Sequence, residues 1–168
     1  MPKNNTTLDR GEHRLAASDR GEHRLAASDR GEHRLAASDR GETCLTALLQ
    51  TMEPKCLPEQ YVFVTVAGAY GDYAELDPIA SFKEAEGLTL VVNLARAEQA
   101  KLAFDSVFRC ISLTVHSSLE AVGLTAAVAS KLAEYEISAN VIAGYYHDHI
   151  FVPAAQTKRA LQALAELN

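Results

Sequence analysis

The chain has 168 residues, of which 48% are apolar and 23% charged, the composition of an ordinary soluble protein with one domain or two small ones. The formal net charge is −6, and residues 42–168 hold 8 basic and 15 acidic residues, which argues against a nucleic-acid surface because phosphate contacts need clustered cations. No apolar run approaches the ~20 residues needed to cross a bilayer, the N terminus lacks an apolar signal core, and the three cysteines lack metal-ligand spacing, so we expect a cytoplasmic protein with reduced thiols.

The N-terminal segment is repetitive. Residues 10–39 are three identical copies of RGEHRLAASD, and a fourth copy begins at Arg40. The single Leu of each copy moves around a helix instead of forming a stripe, and one Leu with two Ala gives too little apolar area to fold alone. We therefore expect residues 1–41 to be an extension that is disordered or a frayed helix, and not a domain. Its three histidines are ten residues apart, which makes them poor metal ligands.

From residue 42 onward, hydrophobic periodicity and β-branched content predict ten elements in the order α-β-β-β-α-β-α-β-β-α. They span residues 45–52, 61–66, 79–82, 88–94, 96–104, 110–115, 124–135, 137–143, 149–152 and 157–167. Such alternation predicts an α+β fold of two ferredoxin-like halves, with antiparallel sheets and helices on one face. We place the first half at residues 42–104 and the second at residues 105–168.

The loop before the third predicted helix gathers small residues and hydroxyls. It reads HSSLEAVGLT from His116 to Thr125. A glycine at position 123 permits φ > 0 or the close approach of another backbone. One interpretation places a ligand carboxylate on the amides of Gly123 and Leu124, where the helix dipole favours an anion. The other is a plain loop glycine, with Ser118 or Thr125 as the helix cap.

The motif His147-Asp148-His149 could place two imidazoles on one strand face, near enough to share a metal. The third ligand would have to be His116, and no Cys or carboxylate cluster completes the set, so we predict no metal and no cofactor. We expect Asp148 to accept turn amides instead, and a histidine of the motif to hydrogen-bond a ligand.

Two further features allow a structural or a functional interpretation. Ser117 and Ser118 beside His116 have the residue types of a nucleophilic set, but neighbours on a turn rarely have the geometry and no G-x-S-x-G elbow exists, so we predict no catalysis. Asn140 could bind an amino or carbonyl group of a ligand, or simply finish a strand edge.

The run HSSLEAVGLTAAVASKLAEYEISANVIAGYYHDHIFVP, preceded by YVFVTV and FKEAEGLTLVV, resembles bacterial ACT-domain-containing proteins with two ACT-like halves, which are related to amino-acid sensors of the ACT type. The resemblance covers residues 45–167 and leaves out the decamer repeat. It implies two βαββαβ-like halves in a regulatory module that binds an amino acid or similar molecule between paired domains. It also implies that the loop of residues 116–125 supplies backbone amides to the ligand through its glycine.

We therefore predict a cytoplasmic, homodimeric regulatory protein that binds an amino acid, has no enzymatic activity, and contacts neither nucleic acid nor membrane. Two alternatives stay open: a structural or protein-interaction module with no ligand, and a small metal-dependent enzyme that uses the histidines at 116, 147 and 149. The predicted ligand contacts are His116, Ser117, Ser118, Val122, Gly123, Leu124, Thr125, Asn140, His147 and Asp148.

Overall fold

The structure is a computed structural model that describes residues 41–167. Its helices are α1 (Leu45–Thr51), α2 (Leu94–Gln99), α3 (Leu124–Glu134) and α4 (Thr157–Ala165), with 3-10 turns at Tyr70–Leu76 and Ala154–Gln156. Its strands are β1 (Pro54–Val66), β2 (Ala80–Lys83), β3 (Leu88–Asn93), β4 (Phe108–Leu113), β5 (Asn140–Ala143) and β6 (Asp148–Pro153). The element order is the predicted one. The expectation of disorder or a frayed helix in the repeat lies outside the described residues.

The six strands form one antiparallel sheet in the order β2-β3-β1-β4-β6-β5. The first half runs β1, 3-10 turn, β2, β3, α2, and the second runs β4, α3, β5, β6, α4. Because β1 and β4 are neighbours, each is the fourth strand of the other half's ferredoxin-like sheet. The predicted α+β fold of two ferredoxin-like halves is confirmed, and the two predicted sheets are in fact continuous.

The four described α-helices pack on one face of this sheet, over two hydrophobic clusters. In the first half, Val62 and Val64 of β1 and Leu90 of β3 pack beneath Ala97 of α2. In the second half, a larger cluster joins β4 and β6 to α1, α3 and α4. Leu48 and Met52, which precede β1 in sequence, lie fully buried in this second cluster. Helix α1 therefore packs with the second half.

The other face of the sheet carries an aromatic cluster that spans both halves. Its rings belong to Tyr61 and Phe63 of β1, Phe108 of β4 and Phe151 of β6. Phe151 meets Tyr61 and Phe63 edge-on, with ring centroids 5.8 and 5.4 Å apart. Edge-to-face geometry of this kind adds roughly 0.5–1.5 kcal/mol per pair beyond the burial of area. None of the described helices packs in this cluster.

Strand β1 is longer than predicted, because it begins at Pro54 instead of residue 61. The sequence pattern does not predict this extension because it contains Pro54 and Pro58, and proline is depleted in strands except at their starts, edges and bulges. The register of β1 against β4 shifts between Cys56 and Gln60, which marks an irregularity of the bulge type. Helix α2 is shorter than predicted and ends at Gln99, just before Lys101 takes a left-handed φ of 55°.

Candidate functional site

The predicted ligand loop leaves the end of β4 and lies beside the turn of the β5–β6 hairpin. Leu113, the last residue of β4, pairs with Asp148 at the start of β6. The His116 ring lies 5.2 Å from that of Tyr146 and 6.4 Å from that of Tyr145, centroid to centroid. The fold thus brings the His116 loop and the His147-Asp148 motif together. Both tyrosines are exposed, and the sequence pattern gave no signal for them beyond a polar turn.

Asp148 is a buried carboxylate, with only 7% of its surface exposed. Burial raises the pKa of Asp148, and the neighbouring His149 and His147 only partly offset that effect. We expected Asp148 to accept hydrogen bonds from turn amides, but it does not do so among the described residues. The hairpin turn is instead closed by the Gly144 N–H, which donates to the His147 carbonyl at 3.1 Å. A buried carboxylate is costly unless it is paired, so Asp148 is suited to receive a cation.

The two histidines of the motif have different surroundings. Nδ1 of His147 is buried and has no hydrogen-bond partner among the described residues. Nδ1 of His149 lies 3.9 Å from the Cys110 Sγ atom, and burial lowers the pKa of His149, which keeps its imidazole neutral at pH 7. Within residues 41–167, no three His, Cys, Asp or Glu side chains are grouped to hold a metal ion.

Gly123 precedes α3 with a left-handed φ of 106°. No side chain caps α3, and the Ser118 hydroxyl instead accepts a hydrogen bond from the Glu120 amide at 3.2 Å. The capping alternative for Ser118 and Thr125 is therefore wrong. The first amides of α3 have no side-chain acceptor among the described residues, which leaves them free for an anion.

The segment that follows the repeat is bound to the loop. Glu42 forms a parallel bridge with Ser117, in which its N–H donates to the His116 carbonyl and its carbonyl accepts from the Ser118 N–H, both at 2.9 Å. The Glu42 carboxylate accepts hydrogen bonds from the amides of Cys44 and Thr43, and these bonds lower the pKa of Glu42. The Ser118 amide, which donates to the Glu42 carbonyl, is therefore not free to bind a ligand.

The remaining predicted contacts divide by position. Ser117 is buried in the loop, and the Leu124 side chain is buried in the core, so Leu124 could offer only its amide. Val122 and Thr125 are exposed beside Gly123. Asn140 is exposed at the far end of β5, where it pairs with Phe151, three residues and roughly 10 Å along β6 from Asp148. The structure therefore separates Asn140 from the other predicted contacts.

Comparison with known proteins gives a consistent result for both halves. Two family models of the ACT domain match the chain, one over residues 40–109 and the other over residues 105–166. No curated protein is similar enough to count as a match.

Three solved structures are informative. A Vibrio cholerae protein of unknown function, described as a possible transport protein, is 59% identical, with a TM-score of 0.68 over 73% of this chain and 94% of that one. An Agrobacterium tumefaciens protein is 18% identical, with a TM-score of 0.59 over 69% of this chain and 88% of that one. The regulatory subunit of aspartate kinase from Thermus thermophilus is 11% identical, with a TM-score of 0.50 over 70% of this chain and 98% of that one, a likeness of fold alone.

Among residues 41–167, no helix is both long and apolar enough to cross a membrane.

Proposed function

Because the chain belongs to the ACT-domain family and carries two such domains in tandem, we propose that it is a non-catalytic regulatory protein that binds an amino acid. The similarity in fold to a regulatory subunit of aspartate kinase supports the proposed regulatory role. The ligand and its site are our inference from the loop of the second half.

One observation carries the proposal: the buried Asp148 carboxylate lies at the loop that leads to the uncapped start of α3. An amino acid has an ammonium group and a carboxylate. Asp148 suits the ammonium, since the bound cation would neutralise a carboxylate that is costly to bury. The amides that follow Gly123 suit the carboxylate, through hydrogen bonds and the helix dipole. Ser117 and His116 are available to the rest of the ligand.

A thermal-shift screen against the twenty L-amino acids tests the proposal. A ligand that binds only the folded form raises stability by about 2.7 kcal/mol at a hundredfold excess over Kd. Asp148→Asn should abolish the response to the ligand that stabilises the parent protein. Glu120→Gln is the matched control, because Glu120 is an exposed carboxylate on the same loop. Its response should be unchanged.

Two results would count against this site or this function. A full response in Asp148→Asn would place the ligand elsewhere. If no amino acid stabilises the parent protein, the alternative of a protein-interaction module is favoured.

The proposal also includes a cytoplasmic homodimer. Cys44, Cys56 and Cys110 are free thiols, as suits a reducing compartment. The half-buried Phe63 and Phe108 and the exposed Phe82 give a second copy an apolar sheet face to cover. Analytical ultracentrifugation should give twice the chain mass for the parent protein and a monomer for Phe82→Glu. A monomeric parent protein would remove the dimer from the proposal.

A further inference from the structure

A polar cavity of about 270 Å³ lies in the first half and involves none of the contacts predicted from the sequence. This volume is close to the lower end, about 300 Å³, of the range of small-molecule pockets. Four separate segments converge on it: the middle of β1, the residues just before β2, the end of β3, and α2. Its polar and apolar lining includes Glu59, Tyr61, Asp77, Ile79, Asn93 and Arg96.

The polar groups of this cavity are partly committed and partly free. Arg96 Nη2 lies 3.4 Å from Asp77 Oδ2, and Arg96 Nη1 donates to the Glu75 carbonyl at 3.3 Å. Since a guanidinium has five N–H donors, Arg96 keeps several for another acceptor. Asn93 Oδ1 accepts from the Ala95 amide at 2.9 Å, which fixes the side chain and leaves its NH₂ group as a donor.

The charges do not balance. Arg96 and Asp77 neutralise each other, whereas Glu59 has no ion-pair partner within residues 41–167. The lining therefore carries a formal charge of −1. The negative charge also affects Tyr61. The pKa of its phenol is raised first by burial and then by Glu59, Cys110 and Asp77.

Two backbone irregularities place these carboxylates. The register shift between Cys56 and Gln60 ends next to Glu59 and re-aims the strand there. Asp77 has a left-handed φ of 50° directly before Pro78. Asp77 takes this conformation as the C-cap of the 3-10 turn Tyr70–Leu76, where its N–H donates to the Ala74 carbonyl, and the cap fixes the position of its carboxylate. Both irregularities border the same cavity.

We propose that this cavity is a second binding site, for a small organic ammonium ion of net charge +1 whose ammonium group pairs with Glu59. Tyr61 and Asn93 hydrogen-bond the polar groups of the ligand, and the spare N–H groups of Arg96 donate to a carboxylate where the ligand has one. The site is independent of the amino-acid site proposed at Asp148. One residue of the site also contacts the second half, because the Tyr61 ring packs edge-on against Phe151 of β6.

The test titrates the full-length protein with three probes of similar length, followed by amide chemical shifts in NMR. Pentylammonium and L-lysine both carry a net charge of +1. Lysine also has a carboxylate that Arg96 could bind, and pentylammonium has none. L-norleucine is the neutral zwitterion. We expect saturable shifts at Asn93 and Arg96 with both cations, and dissociation constants about two- to fivefold below that of norleucine, because Glu59 is exposed and exposed charge pairs are weak.

Glu59→Gln should weaken binding of both cations about two- to fivefold, with an unchanged melting temperature because Glu59 is exposed. Glu98→Gln is the control, since Glu98 is an exposed carboxylate of α2 outside the cavity, and its affinities should equal those of the parent protein. Equal affinity for norleucine, full binding by Glu59→Gln, or no saturable shift at Asn93 and Arg96 would overturn the proposal. Shifts confined to residues 116–125 would instead concern the Asp148 site.

Discussion

Gly123 has a φ of 106° at the start of α3, and a Cβ atom placed on it would lie 3.0 Å from Leu45 Cδ2. The glycine therefore serves the packing of α1 against the loop as well as any ligand. Its place before a helix was readable from the sequence. Its contact with Leu45 was not, because it joins residues 78 positions apart, and local periodicity carries no information about such pairs.

Gly123→Ala should lower the free energy of unfolding by about 1–2 kcal/mol, the cost of a left-handed conformation for an L residue. Gly71→Ala is the matched control, because nothing lies within 4 Å of its added Cβ and its φ is not in the left-handed region. That variant should change stability by less than ~0.5 kcal/mol. Urea denaturation measures both, and equal effects would contradict this account of Gly123.

Asp148 predicts an unusual dependence of stability on pH. Burial raises its pKa in the folded protein above the ordinary value of 3.8. The contribution of Asp148 to stability is therefore fully present below pH 3.8, and it is lost as the pH rises through the pKa of Asp148 in the folded protein. Asp148→Asn, which cannot ionise, should therefore be more stable than the unliganded parent protein at pH 7. The difference should shrink towards zero below pH 3.8. Denaturation at several pH values measures it, and a variant less stable at pH 7 would show that the carboxylate is paired.

The two candidate sites differ in how far the sequence could find them. His116 and His147-Asp148 stand in short motifs, and a loop and a hairpin turn bring them together. Glu59, Asp77 and Arg96 stand in no motif, because the cavity they line is assembled from four segments. The register of β1 against β3, which pairs Tyr61 with Asn93, and the hydrogen bond from the Ile79 amide to the Val91 carbonyl bring three of those segments together.

At the scale of elements, apolar periodicity gave the order of helices and strands, and the prolines of β1 concealed where that strand begins. The sequence pattern also could not predict where α1 packs. Its spacing of apolar residues predicts an amphipathic helix but does not say which core it covers. The structure places Leu48 and Met52 among residues of β4, α3 and α4.

Leu48→Ala should lower the free energy of unfolding by about 2–5 kcal/mol, because Leu48 is fully buried and the cavity left behind relaxes only partly. Thr46→Ala on the same helix is the control, since Thr46 is exposed and its loss should stay within ~0.5 kcal/mol. Chemical denaturation provides the numbers. If Leu48→Ala behaves like Thr46→Ala, α1 does not contribute to this core in solution.

At the scale of the whole molecule, the continuous sheet couples the halves through β1 and β4 and through the aromatic cluster on its open face. Tyr61 and Phe63 of the first half share Phe151 of the second as a ring partner. Two domains joined by a linker would open independently, whereas halves that share a sheet and a ring cluster should unfold as one cooperative unit.

Phe151→Ala should therefore destabilise both halves together, by about 3–5 kcal/mol for the loss of a fully buried aromatic ring. Native-state hydrogen exchange resolves the effect by strand, since amides that exchange only by global unfolding report the same free energy wherever they lie. The free energy of opening at Val91 in β3 should fall as much as that at Ile150 in β6. Tyr70→Ala is the control, because the Tyr70 ring is 47% exposed and belongs to none of the three hydrophobic clusters. Its effect should be small at both strands. A loss of protection in β6 that leaves β3 unchanged would show that the halves unfold separately in spite of the shared sheet.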